Sequence, residues 1–249
     1  MKHLFYIMAL LFSTINFAQN NALFEKGNTL YNQGRYNEAI DAYKTILDSK
    51  NHSAELYYNL GNAYYKLNEV APSIYYYEKA LQLAPNDADI KNNLAFAKNM
   101  TIDAIDAIPE GGVSKFIKST TNYMTFDGWA KTSIVLVLCF VVLFLIYYFA
   151  YSTLRKRLAF MASMVSLSLL AIVLSLAFHK FNLDKSNKPA IVFSQESKVK
   201  AEPNLRSEEA FILHEGTKVQ VLDTVKSWKK IKLPDGKTGW IPKEDIKAL

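Results

Sequence analysis

The sequence is short of the residues on which most catalytic and metal chemistry depends. It has a single cysteine, Cys139, so an intrachain disulfide and every multi-cysteine metal site are excluded. Its four histidines, His3, His52, His179 and His214, lie far apart, and no HExxH or paired-histidine spacing occurs. There is no glycine-rich phosphate loop and no nucleophile–base constellation. Carboxylates are scattered over amphipathic helices and turns, where a solvated face is the default. No catalytic, cofactor-binding or metal residue is assigned, and the chain reads as a non-enzyme. Charge is not concentrated either. The net +6 divides into +1 for residues 1–18, −1 for residues 19–101 and +3 each for residues 102–180 and 181–249. No dense basic stripe is present, so nucleic acid is excluded as a partner.

What the chain does have is apolar residues, 50% of 249, unevenly distributed. Residues 1–18 place Lys2 before an apolar run from Leu4 to Phe12 and end in Ala18. This is the pattern of a secretory signal peptide cleaved near Ala18–Gln19. An uncleaved anchor helix is the other reading. Two uncharged runs follow much later, between Lys131 and Arg155 and between Arg157 and Lys180. Each can cross a hydrocarbon core about 30 Å thick. They predict a transmembrane hairpin of helices 129–151 and 158–180. The turn 152–157 holds Arg155, Lys156 and Arg157, and positive charge in a short loop stays cytoplasmic. Both flanking regions then lie outside, the side to which a signal peptide also exports residues 19–101.

Those residues carry a period of 34, with Asn20, Ala54 and Ala88 as first positions. The second unit fills its pattern with Tyr57, Leu60, Gly61, Tyr64, Ser73, Tyr77, Ala80 and Pro85. The first is looser but in step, and a third stops after one helix, as a capping helix does. The pattern resembles the tetratricopeptide repeat (TPR), which implies stacked helix pairs. In that fold the first helices line a concave face, here carrying Phe24, Asn28, Tyr31, Tyr58, Asn62, Tyr65, Asn92 and Phe96. Two readings stay open for this row: a groove for a peptide with apolar side chains, or packing against neighbouring helices. Repeats that clamp a terminal carboxylate use a lysine where Phe24 and Tyr58 stand, so a clamp is not expected.

Residues 102–128 form a linker broken at Pro109–Gly112, beyond which Val113, Phe116 and Ile117 share one face with Lys115 and Lys118 beside them. A short interfacial helix and a disordered tether both fit. Residues 181–188 read as a polar tether. Residues 189–249 then alternate with period two and carry turn signals at Glu215–Gly216 and Asp235–Gly236. Five or so short strands predict a small all-β barrel. The stretch from Leu213 to Leu249 resembles a bacterial SH3 domain. Trp228 and Pro242 match groove positions of SH3 domains, but Asp245 replaces the tyrosine that would complete a polyproline site.

The expected fold is therefore a multidomain membrane protein: an all-α TPR repeat, a two-helix transmembrane hairpin and an all-β SH3-like small barrel. The order signal peptide, TPR, hairpin, SH3 resembles BatE-type proteins of the Bacteroides aerotolerance (Bat) operon. That resemblance implies an inner-membrane protein with both domains in the periplasm. Its partners would be von Willebrand factor A-domain membrane proteins and a MoxR-type ATPase, in an aerotolerance or stress complex. Bacterial SH3 domains often bind cell-wall peptides, so peptidoglycan is the alternative partner.

Overall fold

The computed structural model describes residues 20–109 and 111–249. The signal-peptide reading of residues 1–18 falls outside these. The chain divides into two compact units. One comprises the described residues through Ile108 together with Pro189–Leu249, and the other is Pro109–Lys188.

The first unit opens with α1 (residues 20–32), α2 (Tyr36–Asp48), α3 (Ala54–Lys66), α4 (Val70–Leu83) and α5 (Ala88–Lys98). Two of the helix starts are built by side chains that accept otherwise unpaired amides. Ser53 accepts from Leu56 N at 3.1 Å, and Asp87 accepts from Asp89 N and Ile90 N, each at 3.0 Å. Between helices the backbone turns through left-handed positions at Gly34, Lys50 and Asn68. Close helix approach depends on two glycines. A side chain at Gly27 would strike the Tyr43 ring, and one at Gly61 the Tyr77 ring. Tyr43, Tyr77, Leu56, Leu60 and Ile74 are fully buried, with Ala39, Ala63, Ala80 and Ala97 where helices cross.

The same unit ends in seven strands: β1 (Pro189–Val192), β2 (Glu196–Lys200), β3 (Glu209–His214), β4 (Lys218–Val225), β5 (Trp228–Lys232), β6 (Thr238–Pro242) and β7 (Ile246–Ala248). Every pairing is antiparallel, in the order β3-β2-β6-β5-β4-β1-β7. Gly216 (φ 85°) and Gly236 (φ 91°) form the turns marked in the sequence. Val192, Val199, Val219, Ile231 and Ile241 make its core, with Ile105 of the linker packed against it.

The barrel expectation needs correction: this is an open sheet, with β3 and β7 at its edges. Closure would require these two to pair. A 3-10 turn, Lys243–Asp245, instead lays the three-residue β7 beside β1, and the amide of His214 at the end of β3 donates to Asp103 of the linker at 2.7 Å. A side chain thus takes a hydrogen bond that a neighbouring strand would have supplied.

The second unit contains α6 (Gly112–Thr121), α7 (Phe126–Phe149) and α8 (Thr153–Ser186). The helices α7 and α8 are long and apolar enough to cross a membrane. They pack through small side chains: Ala159, Ser163, Ser166 and Ala177 of α8 are buried, and Ser166 donates to the Leu136 carbonyl of α7 at 2.9 Å. On α6, Val113 and Phe116 are exposed. The stretch 181–188 is helical as far as Ser186 rather than a tether. No proline or glycine interrupts it before Pro189, and Lys180 pairs with Asp184 one turn on at 2.9 Å.

Candidate functional site

The asparagines of the repeat are locked into a ladder that advances by one repeat length. Asn28 Oδ1 accepts from the Tyr43 hydroxyl at 2.8 Å and from Asn59 Nδ2 at 2.9 Å. Asn62 Oδ1 accepts from the Tyr77 hydroxyl at 2.6 Å and from Asn93 Nδ2 at 2.8 Å. Asn93 also donates to the Tyr58 hydroxyl at 2.9 Å. Each pair of equivalents is 34 residues apart. Burial pushes the Tyr43 phenol up to about 12, although the hydrogen bond with Asn59 works in the opposite sense. It raises Tyr77 as well. Both phenols are therefore neutral donors.

The row read from the sequence is only partly a free surface. Phe24 packs beside Tyr43 (ring centroids 5.9 Å apart), Tyr31 beside Tyr36 (5.3 Å) and Tyr58 beside Tyr77 (6.0 Å). Tyr65 is half-buried, while Asn92 and Phe96 are exposed, Phe96 by 59%. The two amide oxygens of Asn28 and Asn62 each accept two donors and have no lone pair left for a ligand. Sequence reasoning missed Asn59 and Asn93 as members. Their signal was available: the same residue type 34 positions apart, beside a tyrosine pair with the same spacing.

A second polar constellation joins the helical repeat to the sheet. Glu78 of α4, 7% exposed, lies 2.9 Å from Lys98 Nζ of α5 and 2.6 Å from Lys218 Nζ of β4. Burial favours the neutral acid, but the two ammonium groups outweigh it and hold the carboxyl below its usual range. Asp103, just after α5, accepts from the Thr217 hydroxyl at 2.5 Å and the His214 amide at 2.7 Å, and pairs with His214 Nδ1 at 2.8 Å. Its burial likewise acts to raise the carboxyl, and these donors bring it below the ordinary value. Apolar contacts also join the helical stack to the sheet. Tyr75 meets Phe193 edge-on at 5.7 Å, and Ile191 of β1 belongs to the helical core. Any side chain at Gly216 would press on Thr101, Ile74 and Val70.

On the sheet, Trp228 is 8% exposed and sits opposite Pro242 across the β5–β6 pair. Trp240 is half-buried beneath Lys230 Nζ, 6.0 Å from the ring. Asp245 accepts from the Ser194 and Ser197 hydroxyls at 2.7 and 2.5 Å. The residue that replaces the polyproline-groove tyrosine thus holds two chain segments together. Arg155, Lys156 and Arg157 are exposed in the first turns of α8. Among the described residues no group of three histidine, cysteine or carboxylate side chains is placed to hold a metal.

Comparison with protein families matches residues 24–88 to the tetratricopeptide repeat and residues 197–247 to the bacterial SH3 domain. No curated protein matches the chain. The helical stack thus contains a TPR repeat and the open sheet contains a bacterial SH3 domain, two module types that typically bind rather than catalyse.

Proposed function

We propose that this protein is a membrane-anchored scaffold that presents a TPR and an SH3 module together on the outer face of a bacterial inner membrane. One observation carries the reading. The two modules share a compact unit, although two helices long enough to cross a membrane stand between them in sequence. A chain that leaves that unit at Ile108 and returns at Pro189 through two crossings must return on the same side. The basic Arg155–Arg157 segment at the start of α8 supports a cytoplasmic turn by the positive-inside rule. The signal-peptide pattern of residues 1–18 supports the same orientation. Holding two modules on one anchor raises their effective concentration for a shared partner.

The resemblance to BatE-type proteins supplies candidate partners: von Willebrand factor A-domain membrane proteins in an envelope aerotolerance or stress complex. Affinity capture of the full chain from detergent-solubilised membranes is the test. Membrane proteins should be recovered with the wild type and depleted with a Tyr65→Ser/Phe96→Ser variant. A capture without membrane proteins, or one that the variant leaves unchanged, removes the reading. The half-exposed Trp240 favours a second reading, in which the SH3 module grips peptidoglycan. Co-sedimentation of the detergent-solubilised full chain with purified sacculi, lost on Trp240→Ala, supports it. Equal amounts in pellets with and without sacculi remove it.

A further inference from the structure

Three lysines from separate elements converge on one aromatic cluster where the two modules meet. Lys247 Nζ of β7 lies 4.4 Å from the centroid of Tyr75 and 5.6 Å from that of Phe193. Lys79 Nζ of α4 lies 5.5 Å from the same Tyr75 ring and 5.5 Å from Tyr57. Lys44 Nζ of α2 lies 5.5 Å from Tyr64. Beneath the lysines the rings stack on one another: Tyr76 stacks with Tyr64 at 5.5 Å and with Tyr57 at 6.1 Å, and meets Tyr75 edge-on at 5.2 Å, with Tyr57, Tyr75 and Tyr76 themselves buried. Among the described residues none of the three ammonium groups forms an ion pair. Asp48 is close enough to act on Tyr76 but pairs with none of the three.

We propose that this surface binds an extended, acidic peptide segment of a protein partner. Its carboxylates would seat on Lys79 and Lys247, which the buried rings hold in place. Ring faces attract the ammonium groups and fix their positions, but they do not neutralise them. Lys79 and Lys247 share one ring, so their charges lie within the sum of their two ring distances. Like charges so placed repel, and an anion between them relieves the repulsion. Burial lowers Lys79, and Lys247 is lowered by burial first and then by the like charges of Lys79 and Lys44. Two lysines on separate elements, α4 and β7, offer seats for two carboxylates rather than for one group. Alternate side chains of an extended strand point the same way, about 6.6 Å apart. A Glu-x-Glu segment thus offers two carboxylates at a separation inside that limit. The inference needs the packing of the two modules and not the membrane anchor.

The test uses the full chain in uncharged detergent micelles. The probe is a fluorescein-labelled octapeptide with glutamates at alternate positions separated by valines, read by fluorescence polarisation. The peptide should bind the wild type, weaken as salt is raised, and weaken at least tenfold with Lys79→Gln/Lys247→Gln. The charge-retaining Lys79→Arg/Lys247→Arg protein should keep most of the binding, which separates lost charge from lost folding. Lys243→Gln, elsewhere on the exposed surface, should bind as the wild type. The proposal is overturned if the glutamine version of the peptide binds equally well. It is also overturned if the Lys79→Gln/Lys247→Gln protein keeps its affinity, or if only phosphatidylglycerol doped into the micelles engages these lysines.

Discussion

The carboxylate of Glu78 stands 2.6 Å from the ammonium of Lys218, 140 residues further along the chain. With Lys98 of α5 on its other oxygen, it ties α4 to β4. Breaking a buried pair leaves one charge without its partner, and the cost depends on whether that charge can reach water. Here the lysines remain part-exposed, so their release is the cheaper half.

Glu78→Gln should therefore destabilise the protein by about 2 kcal/mol, and Lys218→Met by about 1 kcal/mol. The two effects should be non-additive in a double-mutant cycle followed by urea unfolding. Additive effects would mean that the pair contributes nothing to docking of the sheet on the helices.

Acid should loosen the same seam. Both Glu78 and Asp103 titrate below their ordinary values of 4.5 and 3.8 in the folded chain. Each contribution is fully present above those values and is lost as pH falls through the lower folded ones. The stability difference between wild type and Asp103→Asn should shrink as pH falls below about 4. Urea unfolding at several pH values checks this, and a difference that grows below about pH 4 contradicts it.

Two glycines should respond to alanine for different reasons. Gly61→Ala drives a methyl group into the Tyr77 ring and should cost about 1–3 kcal/mol. Gly34 has open space around it but a φ of 76°, so Gly34→Ala should cost about 1 kcal/mol through the backbone alone. Repacking at Tyr77, introduced as Tyr77→Leu, should recover part of the first loss and none of the second.

The asparagine ladder separates structural from exposed positions in one row. Asn62→Ala leaves the Tyr77 hydroxyl and the Asn93 amide without their acceptor and should cost about 1–3 kcal/mol. Asn92→Ala, on the exposed end, should fall within about 0.5 kcal/mol of the wild type. Thermal unfolding of the two variants distinguishes them.

The repeat was legible because its chemistry is local. Glycine, alanine and tyrosine recur at a spacing that only helix-pair stacking needs, and Gly61 does meet Tyr77. The ladder used the same spacing but went unread, since Asn59 and Asn93 look like ordinary polar positions until a partner helix is placed beside them. Docking of the sheet on the repeat could not be read at all. A glutamate such as Glu78 on an amphipathic helix defaults to solvent, and nothing local points to a lysine 140 residues away. Strand alternation likewise located the sheet but not its closure. The amide at the end of β3 is taken by Asp103, which lies before the two long apolar helices, and β7 is laid beside β1 by the Lys243–Asp245 turn.

The central claim, two modules held on the same outer face of a membrane, is tested most directly by cysteine labelling. With Cys139→Ser as background, single cysteines are placed at Asn51 in the repeat, Leu205 in the sheet and Lys156 at the start of α8, all exposed. Bacterial cells with a permeabilised outer membrane are then treated with a membrane-impermeant maleimide. The account predicts labelling at Asn51→Cys and Leu205→Cys in intact cells, and at Lys156→Cys only after lysis. Labelling of the two modules from opposite sides, or of Lys156→Cys in intact cells, would contradict it.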